Sequence, residues 1–225
     1  MINSKNYNKK RETIILKNDA KQDKIKTILV GITGGIGTGK TTVSNYIEKK
    51  GYYVINADEI AKELIQKDET IKEKIISTFG INSYIDNKYN TQYISNLVFN
   101  NIKELEKLNK IVHPLVIKNI IQLIDIAIRN NEKIIFIDIA LLFELNLEEG
   151  FDYILTITAE KNIRIERIIK RSNLTVDNIE KRINSQISET EIIKNSDFVI
   201  ENNKSIEELY KSIDCILDIF NTMIN

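Results

Sequence analysis

The feature that most constrains this chain is a glycine-rich segment at residues 34–41, which reads GGIGTGKT. It matches the pattern GxxxxGK[ST], and five of the eight glycines in the chain fall within the nine residues from Gly31 to Gly39. A loop that wraps phosphate oxygens turns its backbone N–H groups inward, which requires positive φ angles and no Cβ in the way. A helix that starts behind such a loop adds free N–H groups and the positive end of its dipole. The segment therefore predicts binding of a nucleoside triphosphate.

Each residue type in this loop has a predicted task. Lys40 is placed to reach the β- and γ-phosphate oxygens of ATP, and the Thr41 hydroxyl is placed to ligate Mg²⁺. The residues predicted to bind the nucleotide are Gly35, Ile36, Gly37, Thr38, Gly39, Lys40, Thr41 and Thr42. A glycine-rich turn that fits the pattern by chance is the alternative, and the apolar run before the loop and the helical pattern after it argue against that alternative.

Outside the loop, short apolar runs alternate with helical patterns. The runs predicted as buried strands are residues 27–33, 133–139 and 152–158, and two further short strands are predicted at 52–56 and 197–201. The predicted helices of this part are 41–50, 160–171, one that Thr175 caps and one that begins with the capping-box pair Ser205 and Glu208. Such alternation indicates a parallel sheet covered on both faces. The predicted class is therefore α/β, a P-loop NTPase three-layer fold with a parallel five-stranded sheet.

The stretch between the second and third predicted strands is too long for a simple crossover connection, and its pattern is mainly helical from Asp58 to about Arg129. It therefore predicts a helical subdomain inserted between these two strands. The predicted organisation is a flexible extension at 1–26 and a P-loop kinase domain at 27–225, with a core at about 27–57 and 132–225, the insertion at about 58–131 and an arginine-rich lid at about 164–186. We expect the extension to be dispensable for turnover.

Composition excludes several classes of protein. The chain has 32 Lys and Arg against 32 Asp and Glu, and this balance argues against a nucleic-acid coat or a polybasic membrane binder. The single cysteine, Cys215, excludes an internal disulfide and indicates a reducing, cytoplasmic setting, and we expect its side chain to lie in the core. The single histidine, His113, excludes most histidine-rich metal sites. No apolar run approaches the roughly 18 to 20 residues that span a bilayer, so no membrane segment is expected.

Among nucleotide-binding classes, a small-molecule kinase fits best. A GTPase carries the guanine-reading pattern NKxD, but the segments that begin at Asn109 and Asn203 lack its aspartate. Phosphoryl transfer needs mostly positioning and charge neutralisation, which a chain of this size can supply. A nucleotide-dependent switch or assembly ATPase is the alternative from another class.

Six motifs then occur in the order typical of one kinase family. They are ITGGIGTGKTT at 32–42, NADEIA at 56–61, His113-Pro114, LLFE at 141–144, RINSQ at 182–186 and SDFVI at 196–200. Over residues 27–220 the chain resembles the dephospho-coenzyme A kinases. The resemblance implies ATP-dependent phosphorylation of the ribose 3′-hydroxyl of dephospho-CoA, the final step of coenzyme A biosynthesis. We expect a monomer or weak homo-oligomer, with a small molecule rather than a nucleic acid or a membrane as its partner.

Asp58 is the predicted catalytic base. It follows the second predicted strand, and the carboxyl ends of parallel strands line the ligand crevice, so its carboxylate should face the P-loop and accept a proton from the attacking hydroxyl. The resemblance assigns the same role, and the alternative is a helix N-cap. The family usually has an aspartate at the position of Asn56, which removes a second carboxylate here. Asp138, at the end of the third predicted strand, resembles the acid that holds Mg²⁺ through water, with a turn acid as the alternative.

Arginines and two further positions complete the predicted site. Arg164, Arg167 and Arg171 lie at i, i+3 and i+7, so one helix face can present all of them to the γ-phosphate. The alternative is a solvated face paired with Glu160 and Glu166. Arg167 matches the lid arginine of the family and is the predicted catalytic one, and Arg171 is the second nucleotide-binding arginine.

His113 is expected near the acceptor substrate because it matches the family pattern. Gln186 and Asn202 also match the pattern and are expected to contact the substrate or the adenine side of the nucleotide, and of these two Gln186 is the predicted substrate-binding residue. Two simpler interpretations stand beside this one. His113-Pro114 can mark a helix break, with Pro114 in the first turn of a new helix. Gln186 and Asn202 can be ordinary residues of a helix end and a turn.

Overall fold

The computed structural model describes residues 27–98, 101–172 and 174–224. The strands are β1 (Ile28–Thr33), β2 (Tyr53–Asn56), β3 (Tyr84–Ile85), β4 (Lys88–Tyr89), β5 (Ile134–Asp138), β6 (Tyr153–Thr158) and β7 (Phe198–Glu201). The helices are α1 (Lys40–Lys49), α2 (Ala57–Lys67), α3 (Glu69–Phe79), α4 (Thr91–Val98), α5 (Ile102–Arg129), α6 (Lys161–Arg171), α7 (Val176–Asn184), α8 (Glu189–Lys194) and α9 (Ile206–Met223). The predicted flexible extension at 1–26 lies outside the described residues.

Five strands form one parallel sheet in the order β2-β5-β1-β6-β7, which confirms the predicted class. The central strand β1 pairs with β5 on one side and β6 on the other. Their registers place Ile32 beside Asp138 and Thr33 beside Thr156. The end of β1, from which the glycine-rich loop leaves, therefore has a neighbouring strand end on each side.

Two compact units make up the described chain: one contains the residues up to Ile55 and from Asp125 onward, and the other is Asn56–Ile124. The first unit, which we call the sheet unit, has a core of strand and helix residues that includes Val30, Ile47, Phe136, Leu155 and Phe220. We call Asn56–Ile124 the helical unit, and its separate core contains Ile71, Ile75, Phe79, Tyr84 and Ile94.

The last helix, α9, buries Leu209, Ile213, Leu217 and Phe220 along one stripe against the core of the sheet unit. Cys215 lies off this stripe and is exposed, so the expectation that it belongs to the core is wrong. The physical reason is helical spacing, since a residue two positions after Ile213 faces roughly the opposite side of the helix.

A short hairpin in the helical unit departs from the mainly helical prediction. Strands β3 and β4 pair antiparallel, with Tyr84 opposite Tyr89, and are joined by Asp86 and Asn87. These two residues have φ angles of 49° and 62°. Asp and Asn tolerate the left-handed region better than other side chains, and two such residues make a tight hairpin turn. The turn sequence carried this signal, but the surrounding helical periodicity hid it.

Helix α5 runs without a break through Pro114, so the interpretation of His113-Pro114 as a helix break is wrong. A proline inside a helix removes one backbone hydrogen bond and costs about 3 kcal/mol or more. Apolar burial continues on both sides of it, at Val112 and Val116 and further along at Ile120 and Ile124. This continuous buried stripe offsets the cost, at about 1.5–3 kcal/mol for each fully buried aliphatic side chain.

The same helix corrects a second expectation, that no segment is apolar enough to span a bilayer. By length and composition alone α5 could cross a membrane, because an 18-residue window in it has a mean hydropathy of 1.7, with 28% of that window buried. The core helix of a soluble protein passes the same test. The regular spacing of the buried residues Val112, Val116, Ile120 and Ile124 is that of a helix packed on a protein core.

Candidate active site

The glycine-rich loop joins β1 to α1 and has the backbone that the sequence predicts. Gly37 and Gly39 have φ angles of 83° and 95°, in the left-handed region that favours glycine. A Cβ added at Gly39 would lie 2.4 Å from Nδ2 of Asn202, so a side chain there is excluded by contact as well. Helix α1 starts at Lys40 with no side-chain cap and no acidic residue in its first turn. Its N-terminus therefore offers a positive potential to an anion.

Lys40 of the loop forms an ion pair with Asp138 at the end of β5. The Asp138 carboxylate is 1% exposed and also accepts a hydrogen bond of 2.6 Å from the Ser44 hydroxyl. A buried carboxylate is costly unless it is paired and hydrogen-bonded, and these two contacts meet both needs. Thr41 is exposed in the first turn of the same helix. Lys40, which is predicted to bind phosphate, is therefore bonded directly to Asp138, which is predicted to hold Mg²⁺.

The arginines of α6 do not share one solvated face, so that alternative is wrong for Arg164 and Arg167. Arg167 donates from Nη2 to the backbone oxygen of Asn202 at 3.0 Å and to its Oδ1 at 3.3 Å. Arg164 lines a different cavity, is buried and pairs with Glu189 at 3.3 Å, so the prediction that one helix face presents all three arginines together is wrong for Arg164. Burial lowers the pKa of Arg164 from its usual value, while the Glu189 carboxylate raises it. Arg171 is exposed at the end of the helix.

Beside the loop lies a cleft of about 300 Å³. It is lined by Gly37, Gly39, Thr42, Arg167, Arg171, Asn202, Lys204, Ile206 and Leu209. Asn202 is buried at the base of this cleft and donates from Nδ2 to the backbone oxygen of Thr38 at 2.8 Å. The cleft therefore brings together the loop, the predicted catalytic residue Arg167, the predicted nucleotide-binding residue Arg171 and the turn after β7. Its lining combines cationic side chains with the apolar side chains of Ile206 and Leu209.

On another side of the loop, Gln186 and Arg164 contact the backbone of Ile36. Gln186 Oε1 accepts the Ile36 N–H at 3.0 Å, and Arg164 Nε donates to the Ile36 oxygen at 2.8 Å. Both side chains line a second cavity of about 370 Å³, together with Gly35 and Glu189. Gln186 is therefore more than an ordinary helix-end residue, since it is bonded to the phosphate loop.

Two predicted site residues, Asp58 and His113, belong to the helical unit. Asp58 is exposed in the first turn of α2, whose N-cap is Asn56: the Asn56 side chain accepts the Glu59 N–H at 3.1 Å. The alternative that Asp58 serves as the N-cap is therefore wrong. His113 is half-buried in α5, and burial lowers the pKa of its imidazole. It is accordingly neutral at pH 7.

Three side chains of the sheet unit have contacts that the sequence did not predict. Ser44 bonds to Asp138, Arg164 bonds to Ile36, and Asn202, whose role the sequence left open, bonds to Thr38. Ser44 carried a usable signal, because it stands four residues after Lys40 and therefore on the same face of α1. Arg164 and Asn202 gave no signal for their contacts, because their partners in the loop lie 128 and 164 residues away in sequence.

The residue types at the loop fit a magnesium–nucleotide complex. Mg²⁺ prefers oxygen ligands and is usually held by one or two protein side chains together with phosphate oxygens and water. Thr41 supplies a hydroxyl and Asp138 a carboxylate, so the donor set suits this ion. Within the described ranges no group of three or more His, Cys, Asp or Glu residues gathers into a metal cluster. A site completed by the nucleotide needs no such cluster.

The fold and the loop define a class: an α/β protein of the P-loop kind, with its phosphate loop between the central strand and the first helix and with a lysine–carboxylate pair behind it. A family model described as dephospho-CoA kinase matches residues 28–208. The chain belongs to the dephospho-CoA kinase family, and this confirms both the resemblance and the prediction of an ATP-dependent kinase.

Individual relatives agree with the family match. The chain is 40% identical over 189 residues to a dephospho-CoA kinase of Fusobacterium nucleatum, covering 83% of the chain and 95% of that relative. It is 34% identical over 192 residues to the dephospho-CoA kinase of Listeria innocua, covering 85% and 96%.

Two solved structures resemble the whole described fold. A Thermus thermophilus protein superposes with a TM-score of 0.74 at 28% identity, covering 86% of this chain and 97% of that one. The dephospho-CoA kinase of Campylobacter jejuni superposes with a TM-score of 0.61 at 25% identity, covering 87% and 98%. The architecture is therefore shared along nearly the full length of both proteins.

Proposed function

We propose that this protein transfers the γ-phosphoryl group of ATP to the ribose 3′-hydroxyl of dephospho-CoA, the final step of coenzyme A biosynthesis. The observation that carries the proposal is the family match over residues 28–208, which spans the phosphate loop and the whole helical unit. The loop alone would support a P-loop kinase with any small acceptor, including a nucleotide or a shikimate-like alcohol. A match that extends through the helical unit supports this particular acceptor.

The nucleotide is proposed to bind within the sheet unit. Its phosphates contact backbone N–H groups of the loop between Gly35 and Thr42 other than that of Ile36, which donates to Gln186, and Lys40 reaches the β- and γ-phosphate oxygens. The adenosine occupies the cleft beside Asn202, where Arg167 and Arg171 line one wall. Mg²⁺ is proposed as the cofactor, held by the Thr41 hydroxyl and through water by Asp138, and when bound it neutralises phosphate charge.

Asp58 is proposed as the catalytic base. It stands two residues after the end of β2, so the chain itself keeps its Cα within about 7 Å of that strand end. The carboxylate accepts the proton of the 3′-hydroxyl as that oxygen forms its bond to the γ-phosphorus. The bond from the γ-phosphorus to the β,γ-bridging oxygen breaks, and ADP leaves with that oxygen. Lys40 and Arg167 stabilise the charge on the transferred group.

His113 and Gln186 are proposed to lie near the acceptor, with His113 acting as a neutral hydrogen-bonding group. A cytoplasmic location is proposed because that is where ATP is available to an enzyme of biosynthesis. We also propose a monomer or weak homo-oligomer whose partners are small molecules.

The experiment that tests the proposed function is a panel of acceptors with ATP and Mg²⁺, in which ADP release is measured. The panel contains dephospho-CoA, shikimate, gluconate, adenosine and a mixture without acceptor. We expect turnover with dephospho-CoA to exceed every other mixture by at least about 10²-fold, because acceptor contacts made in the transition state set specificity. Equal ADP release without acceptor, or faster turnover of another acceptor, would overturn the proposal.

A further inference from the structure

Ile36, at the tip of the phosphate loop, has both of its backbone polar groups bonded to side chains. Its N–H donates to Gln186 Oε1 at 3.0 Å, and its carbonyl oxygen accepts from Arg164 Nε at 2.8 Å. Loop N–H groups are the usual ligands of phosphate, but this N–H is already used within the protein. The side chains of Gln186 and Arg164 are therefore both attached to the phosphate loop at Ile36.

Arg164 is built into this position. Arg164 is 5% exposed, and its Nη1 also donates to Glu189 Oε2 at 3.3 Å. A Cβ added at Gly35 would lie 2.5 Å from Arg164 Nη2 and 3.2 Å from Gln186 Oε1, so both side chains press directly on the loop. An arginine this deeply buried is costly unless its donors are used. The contacts to Ile36 and Glu189 use two of its five N–H donors.

The two attachment residues stand at opposite ends of the predicted lid. Arg164 lies in the first turn of α6, and Gln186 lies two residues after the end of α7. Between them, on α6, are Arg167 and Arg171, which line the cleft beside the loop. Both ends of the lid are thus bonded to the same residue of the loop.

We propose that Arg164 and Gln186 form a clamp on Ile36. This clamp couples the conformation of the phosphate loop to the positions of Arg167 and Arg171. The two clamp residues are positioning residues, because they act through the loop and touch no substrate atom in this role. The inference rests on the proposed function in one respect: the loop must bind a nucleotide for the clamp to affect nucleotide affinity. Breaking either contact leaves the loop less ordered before the nucleotide arrives, so binding must supply the missing order.

The test measures the dissociation constant of Mg-ADP by calorimetry for Arg164→Met, Gln186→Leu and the double variant. A neutral hydrogen bond contributes about 1 kcal/mol and one from a charged group about 2 kcal/mol, so we expect affinity losses of about 5-fold for Gln186→Leu and about 30-fold for Arg164→Met. The double variant should lose less than the product of the two, because both contacts order the same residue. Gln186→Glu keeps an oxygen acceptor for the Ile36 N–H and should keep this amide protected from hydrogen exchange, whereas its added negative charge beside the loop lowers the affinity for the anionic nucleotide.

Matched controls are Lys170→Met, on an exposed position of the same helix α6, and Gln122→Leu, on an exposed position of α5. Both should bind Mg-ADP as the wild type does.

A second measurement needs no ligand: hydrogen exchange of the Ile36 amide, followed by NMR. The amide should be protected in the wild type and exchange at least about 10-fold faster in Gln186→Leu, because its acceptor is gone. Fast exchange in the wild type, or Mg-ADP affinity in Gln186→Leu within a factor of about 2 of the wild type, would overturn the clamp. Gln186 is only half-buried, so this variant decides the question even if Arg164→Met does not fold.

These outcomes are distinguishable from failure of the proposed function. If dephospho-CoA is not phosphorylated, Mg-ADP affinity and Ile36 exchange still decide the clamp. If the clamp variants behave as wild type while dephospho-CoA is turned over, only the clamp is wrong.

Discussion

The sheet unit and the helical unit are assembled from different kinds of contact. In the sheet unit the central strand pairs with strands more than a hundred residues away, and Ile36 bonds to a residue 150 positions further on. In the helical unit, helices and a hairpin that follow one another along the chain pack against one another. A site in the sheet unit is therefore assembled by tertiary structure, whereas the helical unit is largely a product of local sequence.

The two units differ even more in the number of polar side chains that they bury. Among the described residues, the buried polar or charged side chains of the sheet unit are Thr33, Thr38, Ser44, Asp138, Thr156, Thr158, Arg164 and Asn202. In the helical unit only Ser83 belongs to this group among the described residues. Buried polar groups need fixed partners, so they give a site a defined geometry. The difference is consistent with the proposal that phosphate chemistry is organised in the sheet unit, while the core of the helical unit is almost entirely apolar among the described residues.

The largest expected effect that tests this comparison comes from Lys40→Ala. Loss of the ammonium group should lower kcat about 10³-fold, or about 4 kcal/mol in the barrier, because a preorganised charge on the transferred phosphoryl group is removed. The assay is ADP release with dephospho-CoA. Lys49→Ala, at an exposed position in the same helix, is the control and should retain full activity. Because the variant leaves Asp138 without its cation, its folding is checked by circular dichroism. A folded variant with near-normal kcat would refute the assignment.

The next effect separates the stability of the two units from nucleotide binding. Ile71→Ala removes a fully buried side chain from the helical core and should lower the free energy of unfolding by about 3 kcal/mol. Its affinity for Mg-ADP should remain unchanged below the unfolding transition, because every proposed nucleotide contact lies in the sheet unit. Urea unfolding and calorimetry measure the two quantities.

Ile47→Ala, in the core of the sheet unit, is the matched variant with a similar loss of stability. If Ile71→Ala weakened Mg-ADP binding as strongly as Ile47→Ala does, the division of labour between the units would be wrong.

Asp58→Asn tests the one catalytic group that the helical unit is proposed to contribute. Removal of the base should lower kcat about 10²-fold and leave the KM for ATP unchanged, because general-base catalysis contributes to the chemical step alone. The neighbouring Glu59→Gln provides a control of the same charge change on an exposed residue. Wild-type kcat in Asp58→Asn would show that another group accepts the proton.

The smallest effect concerns the single histidine. Burial lowers the pKa of His113, so the folded protein favours the neutral imidazole, while the unfolded chain takes up a proton below about pH 6.5. The stability that depends on neutral His113 is therefore present above about pH 6.5 and is lost as the pH falls through the lower folded-state pKa. We expect His113→Asn to lose less stability than the wild type between neutral pH and about pH 5, by less than about 1 kcal/mol. Urea unfolding at both pH values measures these losses. An equal loss of unfolding free energy in His113→Asn and in the wild type would contradict this.

The sequence was sufficient for features whose cause is local. The GxxxxGK[ST] segment, the five predicted strands and the N-cap at Thr175 depend on neighbouring residues, and each is present in the structure. The organisation around the loop depends on contacts such as Asn202 with Thr38, 164 residues apart, which no local pattern specifies. Pro114 was misread for a related reason: packing along α5, rather than the local preference of proline, decides whether that helix continues.

The position of the transferred phosphate tests the central claim most directly. The protein is incubated with ATP, Mg²⁺ and dephospho-CoA, and the product is examined by phosphorus NMR and mass spectrometry. The account predicts a single new phosphomonoester on the ribose 3′-oxygen, with one ADP formed for each product molecule. A phosphate on any other oxygen, or inorganic phosphate released in place of a phosphorylated product, would contradict it.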